Sequence, residues 1–208
     1  MKTALTQARR SALTLLAFAV VASAILASTY WLTRDTVLAN EHAAKLALLQ
    51  QVLPSDYDNQ PLSDTVALSP VEAKRLGHDQ SAVIHLARRQ GQVVAYAFET
   101  IAPNGYSGKI RLLLGVDAQG QLLGVRVVSH KETPGLGDYI DLAKSDWAQQ
   151  FTGQSWQGPA AAVGYWKVKK DGGAFDYMTG ATISARAVTS CVGRAVAWLD
   201  EWKQKANR

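Results

Sequence analysis

The chain has 208 residues, 48% of them hydrophobic, which suits one globular domain with attachments. Its net charge of +5 comes from scattered basic residues rather than a clustered stripe, so no nucleic-acid partner is expected. A single cysteine, Cys191, excludes internal disulfides and cysteine-ligated clusters. His42, His78, His85 and His130 lack metal-ligand spacing, so no metal site is expected either.

The chain opens on a polar N-terminus, residues 1–11, with Lys2, Arg9 and Arg10. From Ala12 to Leu32 it then runs 21 residues without a charge. As a helix this run spans roughly 31 Å, enough for a bilayer core. The basic residues ahead of it predict a cytoplasmic N-terminus and an external remainder. A cleaved signal peptide, processed near Ala22-Ser23-Ala24, is the alternative. The apolar run continues past that site, so a retained transmembrane anchor at 12–32 is expected. Residues 33–60 read as helical stalk and linker, with Thr36–Leu53 helical and Pro54 as the stop.

Residues 61–208 read as the main domain. Ser69, Pro70 and Gly77 punctuate a short helix as N-cap, first position and terminator. Four runs with period-2 alternation follow at 82–89, 93–102, 109–117 and 122–130, joined by short glycine-bearing turns. They predict an antiparallel meander. "GYWKVKK" (164–170) reads as a further strand. After Thr182 an apolar stripe of Ile183, Ala187, Val188, Cys191, Val192, Ala195, Leu199 and Trp202 predicts a helix. The fold class is α+β: one N-terminal transmembrane helix, then a mostly antiparallel sheet with flanking helices.

Three loops carry more glycine and polar groups than turns require. "APNGYSGKI" (102–110) lacks the phosphate-loop spacing and leads into no helix, so it reads as a hairpin. "SHKETPGLGD" (129–138) places Pro134-Gly135 in a type II turn, open to a flat ligand or simply to solvent. In "DYMTGATISARAV" (176–188), Thr182 stands at a helix start. It reads either as an N-cap or as a hydroxyl placed where a phosphate is favoured. No base to activate it is apparent, so any modification is expected to need another enzyme.

These residues resemble a known family. "DYMTGAT" is similar to the flavinylation motif of FMN-binding domains, with Asp176, Thr179, Gly180 and Ala181 at the motif's fixed positions. The resemblance implies FMN joined through its phosphate to the Thr182 hydroxyl, installed by a flavin transferase. It also implies a ring packed near Thr133, Leu136 and Gly137, and catalysis is not expected from the isolated chain. Length, anchor and motif order are similar to the G subunits of Rnf (Rsx) electron-transport complexes. That implies a bacterial inner-membrane electron carrier whose domain is periplasmic and whose partners are the other membrane subunits. In those complexes electron flow between ferredoxin and NAD is coupled to ion movement. The C subunits of sodium-pumping NADH:quinone reductases are the nearest alternative, and a non-redox periplasmic assembly or binding subunit is another.

Overall fold

The computed structural model describes residues 2–158 and 164–206. The chain divides into two compact units, up to Lys45 and from Leu46 onward. The first is the greater part of one continuous helix, α1 (Lys2–Gln50). Its apolar side chains, among them Leu15, Phe18, Leu26 and Trp31, are exposed on all sides, as in a helix built for lipid. The hydroxyls of Thr14, Thr29 and Thr33 turn back onto the carbonyls of Arg10, Ile25 and Thr29 at 2.8–2.9 Å. Polar groups satisfied on their own helix are what a hydrocarbon environment demands. It is the one helix among the described residues long and apolar enough to cross a membrane.

The second unit is built on a five-stranded meander: β1 (Thr65–Ala67), β2 (Val83–Arg89), β3 (Gln92–Gly105), β4 (Gly108–Asp117) and β5 (Leu122–Ser129). All pairings are antiparallel and in chain order. The expected α+β fold is therefore present, with β1 a strand that the loop-like composition of its surroundings concealed. Helix α2 (Pro70–Arg75) begins as predicted, with Ser69 and Glu72 in a reciprocal capping box. Hydrogen bonds from Ser69 hold the Glu72 carboxyl below its ordinary value.

The two faces of the sheet differ in side-chain volume, and the pairing shows why. One cross-strand row is Ile84, Phe98, Leu114 and Val125, each fully buried. Helix α3 (Thr182–Ala206) lies over this face and brings Trp198 to 5.4 Å from Phe98 between ring centroids. The neighbouring row, on the opposite face, is His85, Ala97, Gly115 and Gly124. Its small residues let the chain after α1 sit directly on the sheet, with Leu49, Val52 and Leu53 buried there. A Cβ on Gly115 would stand 1.7 Å from the Val52 carbonyl oxygen. Residues between 46 and 60 thus supply core, and α1 stops at Gln50, ahead of the predicted end at Leu53.

Two expectations are corrected. Residues 164–170 form no strand: Val168 makes a single bridge to Phe175, and Lys169–Asp171 is a 3-10 turn. The alternation there comes from aromatic packing, Trp166 stacking on Phe175 at 5.1 Å, and not from a pleat. Ile183 does not belong to the buried stripe of α3. It is 44% exposed, while Ala185, Val188, Val192, Ala195 and Leu199 face the sheet. Two residues before Ala185 is about 200° around a helix, so Ile183 points away from the core.

The small-residue row yields a test. Gly115→Ala should destabilise the protein at the upper end of the ~1–3 kcal/mol typical of overpacking. Gly124→Ala should cost far less, because its Cβ would meet nothing closer than 3.4 Å. Urea denaturation of the two variants side by side checks this, and equal midpoints would contradict it.

Candidate functional site

The three loops singled out by composition meet in one cleft of about 350 Å³. The β3–β4 hairpin turn contributes Tyr106, and the segment after β5 contributes Glu132, Thr133, Leu136 and Gly137. The motif stretch and the start of α3 contribute Gly180, Ala181, Ile183 and Ser184. A larger hollow of about 510 Å³ lies beside α2, lined by residues such as Lys74 and His78. It gathers none of the predicted site residues, so volume alone does not choose the site. The 350 Å³ cleft falls at the small end of the range for ligand pockets. Tyr106, Leu136, Met178 and Ile183 are large apolar side chains near or lining it, and each is 41–68% exposed.

The motif backbone is fixed from below. Aromatic rings run in sequence from Tyr139 to Trp147, Phe151, Phe175 and Trp166, each pair 4.9–5.4 Å apart. Trp147 donates its indole N–H to the Asp176 carbonyl at 2.7 Å. The Gln150 side-chain oxygen accepts the Asp176 N–H at 2.7 Å. Asp176 is thereby held by its backbone, while its carboxylate pairs with Lys169 at the surface and does not line the cleft.

The Ala181 N–H then closes a turn onto the Met178 carbonyl at 3.1 Å, with Gly180 at φ +92. A Cβ on Gly180 would meet nothing within 4 Å, so glycine is needed there for backbone sign and not for space. The Tyr139 hydroxyl spans the same turn, accepting the Met178 N–H at 3.1 Å and donating to the Ala181 carbonyl at 3.4 Å. Burial pushes the Tyr139 phenol above its ordinary value, so it stays neutral and can do both.

Thr182 is the first residue of α3 and is 9% exposed. Its hydroxyl has no hydrogen-bond partner among the described residues and is not sealed from solvent. The helix-cap reading of this side chain is therefore not what the structure shows. The free N–H groups of this turn carry the positive end of the helix, and no acidic residue of α3 neutralises it. In the next turn Arg186 forks onto Asp171 at 2.6 and 2.8 Å. Those bonds lower the Asp171 carboxyl below its usual range, with the charges of Arg186, Lys170 and Lys167 adding to the effect.

Of the predicted residues, Thr133, Leu136, Gly137, Gly180 and Ala181 line the cleft. Thr182 stands between two residues that do. Thr179 and Asp176 are not in its walls. Sequence reasoning missed Tyr106, Glu132, Ile183 and Ser184 as wall residues. Glu132 is the largest omission: it is 4% exposed, and its carboxylate accepts the N–H groups of Ser107 at 2.9 Å and Tyr106 at 3.3 Å, and the Ser184 hydroxyl. Among the described residues, no group of three or more His, Cys, Asp or Glu is placed to hold a metal ion.

Gly137 is crowded where Gly180 is open: its Cβ would stand 2.8 Å from Ser184 Oγ and 2.9 Å from Glu132 Oε2. Gly137→Ala should wedge these groups apart and destabilise the protein by about 1–3 kcal/mol. Thermal unfolding measures the effect, and an unchanged midpoint would show that the wall yields freely.

The FMN-binding domain family matches residues 105–197, and the RnfG N-terminal region matches residues 1–52. Among curated proteins, the G subunit of an ion-translocating oxidoreductase complex from Vibrio cholerae serotype O1 is 44% identical over 201 residues, 97% of this chain and 94% of the relative. The G subunit of the same kind of complex from Pseudomonas aeruginosa is 46% identical over 198 residues, 94% and 90% of the two chains. The one from Vibrio parahaemolyticus is 41% identical over 197 residues, covering 95% and 92%. The FMN-binding match includes every wall of the cleft. With an apolar membrane-length helix, an antiparallel sheet and identity over nearly the full length, the chain belongs to the family of G subunits of ion-translocating oxidoreductase complexes.

Proposed function

We propose that the chain is the FMN-bearing electron-carrier subunit of such a complex, with FMN esterified through its phosphate to Thr182. The observation that carries this is the Thr182 hydroxyl itself: unpartnered, in touch with solvent, on the first turn of α3 and at the edge of the cleft. The positive helix end favours the phosphate, and the exposed apolar side chains around the cleft suit a flat ring. Thr133, Leu136 and Gly137 would flank that ring. When bound, FMN supplies a centre that exchanges electrons singly or in pairs, while the protein holds and orients it. Among the described residues no side chain hydrogen-bonds the Thr182 hydroxyl, which fits attachment by a separate flavin transferase. Asp176, exposed and fixed by its backbone, is available for that enzyme to recognise. The partners are the other membrane subunits of the complex, working between ferredoxin and NAD.

Substitutions at Thr182 test the attachment. With no capping bond to lose, Thr182→Asn and Thr182→Ala should stay folded, yet neither should gain the mass of one FMN less one water. Thr182→Ser should keep flavin, and Thr179→Ala should keep at least part. Intact mass and in-gel fluorescence after co-expression with a flavin transferase decide the matter. Covalent flavin on Thr182→Asn would place the ester elsewhere.

The charge pattern around α1, with Arg9 and Arg10 before the apolar run, supports an inner-membrane topology with the main domain in the periplasm. A reporter fused after Arg208 should be active only outside the cytoplasm, and cytoplasmic activity would reverse the orientation.

A further inference from the structure

We propose that Glu132 is the positioning residue of this site. Its buried carboxylate ties the β3–β4 hairpin turn to the first turn of α3, and so fixes where Thr182 stands relative to the cleft. This rests on the reading of Thr182 as the flavin acceptor.

The three donors to the carboxylate all lie outside the segment that carries Glu132. Oε1 accepts the Ser107 N–H, and Oε2 accepts the Tyr106 N–H and the Ser184 hydroxyl. Glu132 is itself held, because its own N–H goes to His130 Nδ1 at 3.1 Å. It makes no ion pair among the described residues, and its carboxylate is met by these three donors. Burying a carboxylate without a countercharge is a costly way to hold loops together, and apolar packing would hold them with less desolvation. What the carboxylate adds is an acceptor on both ends. An amide of the same shape must turn an N–H group toward one of the donors.

Two glycines lie close against it, although the nearest atom to a Cβ on Gly105 would be the Gly108 carbonyl oxygen at 2.4 Å. A Cβ on Gly105 would lie 2.9 Å from Oε1, and one on Gly137 the same distance from Oε2. Ser184 is two residues beyond Thr182 in the same helical turn, so a turn released from Glu132 carries the acceptor hydroxyl with it. Tyr106 and Ser107 of the hairpin turn and Ser184 of α3, far apart in sequence, hold the same carboxylate.

The test uses the full-length chain and the variants Ser184→Ala, Glu132→Gln and the double. In flavin-free Ser184→Ala, the amides of Tyr106 and Ser107 should exchange hydrogen faster, although the substitution lies on the other wall. Exchange in β4 away from the turn should be unchanged. With a flavin transferase and FAD, Ser184→Ala should load roughly fivefold more slowly, the size of one lost hydrogen bond. The flavin it does carry should show lower fluorescence anisotropy than in the wild type. The double variant should be no worse than Glu132→Gln alone, since both remove one coupling. Wild-type amide exchange at Tyr106 and Ser107, or loading that falls only as the folded fraction falls, would overturn the proposal. A wild-type chain that gains no flavin while the exchange coupling is present would overturn the Thr182 reading instead.

Discussion

The site depends on the rotation of α3 about its own axis. Ala185, Val188, Val192, Ala195 and Leu199 recur at intervals of three and four, and all are buried against the sheet. Burying each of the larger ones stabilises the fold by roughly 1.5–3 kcal/mol, so the stripe tolerates no turning of the helix. Once it faces the sheet, the other directions follow. Ser184 falls inward toward Glu132, Ile183 outward to the cleft, and Arg186 sideways to Asp171. Gly193 fixes the depth: a Cβ there would come within 2.5 Å of the Trp166 ring, so the indole lies directly on the helix backbone.

Between Gly137 and Ala181 the described backbone has 3-10 turns, single bridges and little else. Order there comes from side chains. The ring series from Tyr139 to Trp166 fills the space a regular element would occupy. The polar groups of Trp147, Gln150 and Tyr139 each bind the motif's backbone and not its side chains. That division leaves the exposed side chains of Asp176 and Met178 out of the hydrogen bonds that hold the motif's backbone.

The sheet was legible because its strands have one heavily buried face, and alternation survives in Ile84–Leu86 and in Ile110–Leu112–Leu114. Thr65–Ala67 was not, since three residues carry too few alternations to stand out beside proline and aspartate. At 164–170 the same signal misled: Tyr165, Trp166 and Val168 are apolar because they pack on Phe175, in a segment with no partner strand. Glycine spacing marked all three walls of the cleft, because close approach and left-handed turns leave a trace in composition. Glu132 left none. An acid between lysine and threonine in a loop reads as solvated, and only the donors gathered from residues 106, 107 and 184 reveal it as buried.

Every strand of the meander pairs with the one before it, so the sheet closes progressively as the chain lengthens, with few distant contacts to wait for. The cleft is different. Its walls come from residue 106, from residues 132–137 and from residues 180–184, and α3 must dock before the third wall exists. Thr182 therefore stands beside a complete cleft only in a chain whose α3 has docked on the sheet. A chain caught with its sheet formed and its helix undocked presents the motif as a sequence but not as a place. On the proposed attachment of FMN at Thr182, loading that reads the assembled cleft would report on the docking of α3, and undocked chains would stay unmarked.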